Sequence, residues 1–174
     1  AVLRVEENRQ TLLCSASVNT KLTHSQTLMP MIEDMLRNAG LSLDAIDVLA
    51  VAVGPGSFTG VRIGVAAVKG LAFPKDLPCV AVSTLEGMAA RFADMPFDCD
   101  VLTAMDARCR QVYTALFSVK DGVLSRETPD EALSLEEVSS RLENQTRPIM
   151  VVGDGAALCA DEMPKVRLAP AGMR

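Results

Sequence analysis

The apolar positions of the chain are organised around one stretch, Val48–Phe73. It opens on Val48-Leu-Ala-Val-Ala-Val53, short and β-branched side chains without polar alternation, which predicts a strand buried on both faces. A loop, Gly54-Pro-Gly-Ser-Phe-Thr-Gly60, follows, and the small apolar residues of Gly60–Phe73 predict a buried helix. A strand, a Gly-rich loop and a helix in that order bring backbone N–H groups toward a phosphate.

The flanking pattern is also α/β. Ala1–Val5 and Thr11–Val18 read as a hairpin around the polar turn Glu6-Glu-Asn-Arg-Gln10. Thr23–Gly40 carries helix punctuation: Thr23 or Ser25 as a cap, Gly40 as a terminator, and an apolar stripe of Leu28, Met31, Ile32, Met35, Leu36 and Ala39. Pro30 is expected to bend this helix or mark a ragged first turn. Beyond the central stretch, Cys79–Val82 reads as a buried strand and Ser83 or Thr84 as the cap of a helix reaching about Phe92. Met95–Asp100 is the expected boundary between lobes. Val101–Met105 and Gln111–Val119 are then strands around the turn Asp106–Arg110. Lys120-Asp-Gly122 closes a second hairpin, Ser134 with Glu137 caps a helix to Leu142, and Ile149–Val152 is a strand running into Gly153-Asp-Gly155.

Composition narrows the function classes. A chain of 174 residues that is 49% hydrophobic is not a disordered one. With 3% aromatics and no Trp, its core rests on aliphatic side chains, and nine Met exceed what that core needs, a sign of adaptable contact surfaces. A net charge of −5 without a basic run disfavours charge-driven nucleic-acid binding. Cys14, Cys79, Cys99, Cys109 and Cys159 are odd in number and widely spaced, which fits reduced thiols rather than a disulfide framework or zinc ribbon. No apolar run reaches the roughly 18 residues of a membrane span and no signal peptide begins the chain, so the expected location is the cytoplasm.

The candidate chemistry is sparse. The Gly54–Gly60 loop lacks the Gly-Lys-Ser/Thr ending of a P-loop and the spacing of a dinucleotide fingerprint. Gly54, Gly56, Ser57, Thr59 and Gly60 are candidates for a nucleotide or partner contact, with a purely structural turn as the competing reading. Ser57 and Thr59 are candidate helix caps. Arg62, in the first helical turn, opposes the helix dipole, so an anion or carboxylate beside it is expected. His24 is the only histidine, which leaves no second imidazole for a zinc site, and a helix-start or surface role is expected for it. Asp106 and Arg108 read as a local ion pair on a hairpin, and Gly153-Asp-Gly155 as a ligand-side turn or as simple punctuation. Gly60, Gly64, Ala67 and Gly70 permit close helix approach, and together with the Met/Leu stripe they suggest a contact patch larger than one core consumes.

Gly54-Pro-Gly-Ser-Phe-Thr-Gly-Val-Arg-Ile-Gly64, with Val82-Ser-Thr-Leu-Glu86, Asp106-Ala-Arg108, Gln111-Val-Tyr113, His24-Ser-Gln26 and Gly153-Asp-Gly155, resembles the bacterial TsaB (YeaZ) family over nearly the whole chain. The resemblance implies an ASKHA (actin/sugar-kinase/Hsp70-like) fold of two related lobes of mixed sheet with flanking helices, expected at 1–97 and 98–174. It implies a non-catalytic partner of TsaD in making threonylcarbamoyladenosine on tRNA, assisted by the ATPase TsaE, with tRNA engaged only indirectly. TsaD-like proteins carry His-x-x-x-His where Thr84 and Met88 stand here. Neither side chain replaces an imidazole, so no bound metal, no catalytic residue and no resident cofactor are expected, with ATP or ADP only in the complex with the partner.

The expected partner and dimer surface is Leu28, Met31, Ile32, Met35, Leu36, Arg62, Ile63, Gly64, Ala67, Val68 and Leu71, which also pairs two copies when the partner is missing. The alternatives are a metal-dependent peptidase ("glycoprotease") or an ATP-binding enzyme of the same superfamily. The family usually opens with a strand ending in an Asp-Thr-Ser type turn. That strand is missing here and the C-terminal segment is short, so both lobes are expected to be incomplete.

Overall fold

The computed structural model describes residues 1–7, 9–19, 23–93 and 95–173. Asn8, in the expected polar turn, and Arg174 lie outside the described residues. The chain divides into two compact units, the first Ala1–Ala52 with Ser57–Ala81, the second Val53–Gly56 with Val82 onward. The break after Ala81 precedes the expected boundary at Met95–Asp100, which lies inside the second unit because the helix before it packs on that unit's sheet.

In the first unit, β1 (Val2–Glu6) and β2 (Arg9–Cys14) pair antiparallel. Helix α1 (His24–Asn38) starts at Thr23, whose N–H donates to Gln26 Oε1 at 3.2 Å, and it runs through Pro30 without interruption. It stops where Gly40 takes φ +67° and the Leu41 N–H donates to the Leu36 carbonyl at 2.9 Å, a left-handed helix end as its sequence predicts. Strands β3 (Leu49–Gly54) and β4 (Cys79–Ser83) form a separate two-stranded sheet, and α2 (Phe58–Ala72) connects them. The expected full burial of this region does not occur. Val48, Val53 and Val80 are exposed, and Ala72 is the one described residue of α2 that is fully buried. A strand's faces are buried by helices or a second sheet laid on them and not by its hydrogen-bonded neighbours; among the described residues β3 pairs only with β4.

The second unit holds the core. Its sheet runs in the order β10-β9-β5-β6-β7, with β8 also on β6. β5 (Cys99–Arg108), β9 (Ile149–Val152) and β10 (Val166–Leu168) are mutually parallel, and β6 (Gln111–Lys120) is antiparallel to β5, β7 (Val123–Arg126) and β8 (Glu131–Ser134). Both faces are covered, so β5 and β6 read as near-continuous apolar runs. One face packs Leu102, Leu116, Ile149 and Val151 under α4 (Leu135–Leu142) and α5 (Ala156–Glu162). The other packs Val101, Phe117 and Val119 under α3 (Thr84–Ala89) and the 3-10 turn Ala90–Phe92 that follows it, through Leu85, Ala89 and Phe92. Each such large side chain contributes about 2 kcal/mol by leaving water. Met88, Met95, Met105 and Met150 pack against this second cluster and Met163 is buried in the first, so much of the Met excess serves the core rather than a contact surface.

Candidate functional site

The apolar helix pair of the first unit is the candidate site. α1 and α2 pack on one another, and a shallow groove between them is lined by Met29, Pro30, Ile32, Glu33, Leu36 and Leu71. A second depression lies along α2 at Phe58, Thr59, Arg62, Ile63 and Ala66. Five residues expected at the surface, Ile32, Leu36, Arg62, Ile63 and Leu71, therefore line open depressions. Leu28, Met31, Met35, Ala67 and Val68 are part-buried within the unit.

Gly64 turns inward: a Cβ there would meet Val51 Cγ2 of β3 at 3.7 Å. The outward face of α2 is a different row, of which the sequence pattern singled out Arg62 and Gly70 and missed Phe58 and Ala66. It comprises Phe58, Arg62, Ala66 and Gly70, with Phe73 just past the helix end. Phe58 is 74% and Phe73 87% exposed, and nothing lies within 4 Å of a Cβ built at Gly70. The i, i+4 spacing of Arg62, Ala66 and Gly70 is the signal that identifies this face.

The Gly-rich loop is organised by its own geometry. Gly54 takes φ +116°, where a side chain is strained, and Ser57 caps α2 by accepting the Gly60 N–H at 3.3 Å. Thr59 is exposed in the first turn and makes no cap. His24, the first residue of α1, places its ring edge 3.5 Å from where a Gly60 Cβ would be. Arg62 lies against a π-face, its guanidinium 5.1 Å from the Phe58 ring centre, and forms no ion pair with a carboxylate among the described residues.

In the second unit, Asp106 and Arg108 do not form the expected side-chain ion pair. Asp106 Oδ1 accepts the backbone N–H of Arg108 at 2.7 Å, and Asp154 Oδ1 accepts the N–H of Asp106 at 3.1 Å. The Gly153-Asp-Gly155 turn is thus tied to the end of β5, and both glycines sit where a Cβ would crowd the Ala104–Asp106 backbone. Close packing accounts for this motif.

Arg126 is the hub of a surface network. It bonds Glu86 at 2.8 Å and Asp130 at 2.6 Å and lies 4.7 Å from the Phe117 ring centre, while the Ser83 hydroxyl donates to Asp130 at 2.6 Å. Ser83 also caps α3 by accepting the Glu86 N–H at 3.2 Å, so this cluster fixes the helix start. Thr84 opens α3, and Met88 packs its side chain toward the core. Among the described residues, no three His, Cys, Asp or Glu side chains group closely enough to hold a metal ion, and no helix is long and apolar enough to cross a membrane.

Comparison with known proteins places this architecture. The family model described as "TsaD: tRNA N6-adenosine threonylcarbamoyltransferase" matches residues 18–160. A Pseudomonas aeruginosa crystal structure, described as an uncharacterized protein with similarity to peptidase YEAZ, aligns with a TM-score of 0.78 at 31% identity, covering 97% of this chain and 78% of that one. The mixed sheet and these matches define an ASKHA-like fold. The tRNA threonylcarbamoyladenosine biosynthesis protein TsaB of Bacillus subtilis is 38% identical over 138 residues, 79% of this chain and 59% of that protein. The protein of the same name from Escherichia coli is 39% identical over 133 residues, 76% of this chain and 58% of that protein. The chain belongs to the TsaB (YeaZ) branch of this family. It spans less than two thirds of the length of these two relatives.

Proposed function

We propose that the chain takes part in threonylcarbamoyladenosine modification of tRNA as a non-catalytic scaffold that binds TsaD, and through it TsaE. The observation that carries this reading is the outward face of α2, where Ala66 and Gly70 leave room for a close helix between two exposed aromatics, Phe58 and Phe73. An exposed apolar row beside a groove is a contact surface. In this reading α1 contributes Met29, Ile32 and Leu36 from the groove, and Arg62 supplies a charged rim. The same surface pairs two copies when the partner is missing.

The non-catalytic part rests on α3. Thr84 and Met88 stand at the positions of the metal-ligand pair in TsaD-like proteins, and Met88 is engaged in packing. The chain then needs no cofactor of its own, nucleotide enters only with the partner, tRNA is engaged indirectly, and the site of action is the cytoplasm. Reconstitution of tRNA modification from TsaD and TsaE, with and without this chain, tests the proposal. The expected result is a near-stoichiometric complex with TsaD by size exclusion and modification that depends on the added chain. Equal modification without it, or no complex at micromolar concentrations, overturns the reading.

A further inference from the structure

We draw no further inference here: the strongest candidate, the exposed apolar face of the β1–β2 hairpin formed by Leu3, Val5 and Leu12, carries nothing because nothing in the structure shows what covers it.

Discussion

Gly153 and Ala104 are packed backbone to backbone: a Cβ on Gly153 would fall inside the Ala104 carbonyl group, 2.9 Å from its carbon. Gly153 also takes φ +112°, a conformation strained for any side chain. The crowding is against backbone, which cannot rotate away as a flexible side chain can. Gly153→Ala is therefore expected to cost about 3 kcal/mol or more, combining overpacking with the conformational penalty. Gly122→Ala is the control. It has φ +74°, but its Cβ would meet only the Ala93 carbonyl oxygen at 3.5 Å, so a cost of about 1 kcal/mol is expected. Urea denaturation of the two variants separates close approach from backbone conformation, and equal losses would show that the Ala104 contact is not limiting.

Asp100 and Arg147 give a prediction whose sign depends on pH. The Asp100 side chain is 1% exposed, and Arg147 Nη2 approaches its Oδ1 to 2.7 Å without aligning an N–H on it, so neither carboxylate oxygen has a hydrogen-bond donor. Burial raises the Asp100 pKa, Arg147 opposes the rise, and Glu127 adds to it. A raised carboxyl means that the folded state binds the proton more tightly than the unfolded one. The stability it contributes is present below the ordinary value, about 3.9, and is lost as pH climbs through the raised value. Asp100→Asn should accordingly gain on the parent protein as pH rises from about 4 to 7. Arg147→Ala strands a buried charge and should cost about 3 kcal/mol at pH 7, the low end for a buried pair because Arg147 is partly exposed, with the double variant recovering most of it. Denaturation midpoints across pH read both effects, and a flat difference between Asp100→Asn and the parent would refute the first.

The thiols divide by burial. Burial pushes the Cys159 thiol up to about 11, and it raises Cys99 as well, with Asp100 adding to that shift. Cys79 and Cys109 are exposed. Since the thiolate is the nucleophile, a neutral alkylating agent should label Cys79 and Cys109 in the native protein at pH 7.5, and Cys99 and Cys159 only when denaturant unfolds the second unit. Peptide mass spectrometry over a time course measures this, and early native labelling of Cys159 would contradict its burial.

The elements most legible in the sequence were those whose signals are local. Gly40 ends α1, and Ser134 with Glu137 forms a reciprocal cap on α4, because each depends on residues within one turn. The strands β8 and β10 were not legible. They are four and three residues long, and their structure comes from hydrogen bonds to β6 and β9, partners beyond any short window, whereas β7 follows directly from the Lys120–Gly122 hairpin. The bond between Asp154 and Asp106 was hidden for the same reason, since its two ends lie 48 positions apart. At the candidate site the difficulty was composition. Apart from Phe58, Thr59, Arg62 and Lys69, α2 is built of small or aliphatic residues, so periodicity identifies the helix and leaves the facing of its glycines open. Gly64 therefore reads as outward from the sequence, whereas Val51 beneath it shows that it faces in.

That orientation decides how the proposed partner surface is to be tested. A substitution on the outward row should change association and leave folding intact, whereas one on the inward row should do the reverse. Ala66→Arg and Gly70→Leu place bulk where the helix is open, and each is expected to weaken complex formation with TsaD at least tenfold, about 1.4 kcal/mol. Their melting temperatures should stay close to that of the parent. Gly70→Leu should even gain some helix propensity, because glycine costs a helix interior about 1 kcal/mol. Gly64→Leu drives a long side chain toward Val51 and should lower stability by about 1–3 kcal/mol, with any loss of binding following from that. Gly64→Ala, whose Cβ meets Val51 at an ordinary contact distance, should bind as well as the parent. Titration of each variant against TsaD, alongside thermal unfolding, separates the two classes. Unchanged binding by Ala66→Arg and Gly70→Leu together would remove the outward face of α2 from the partner surface.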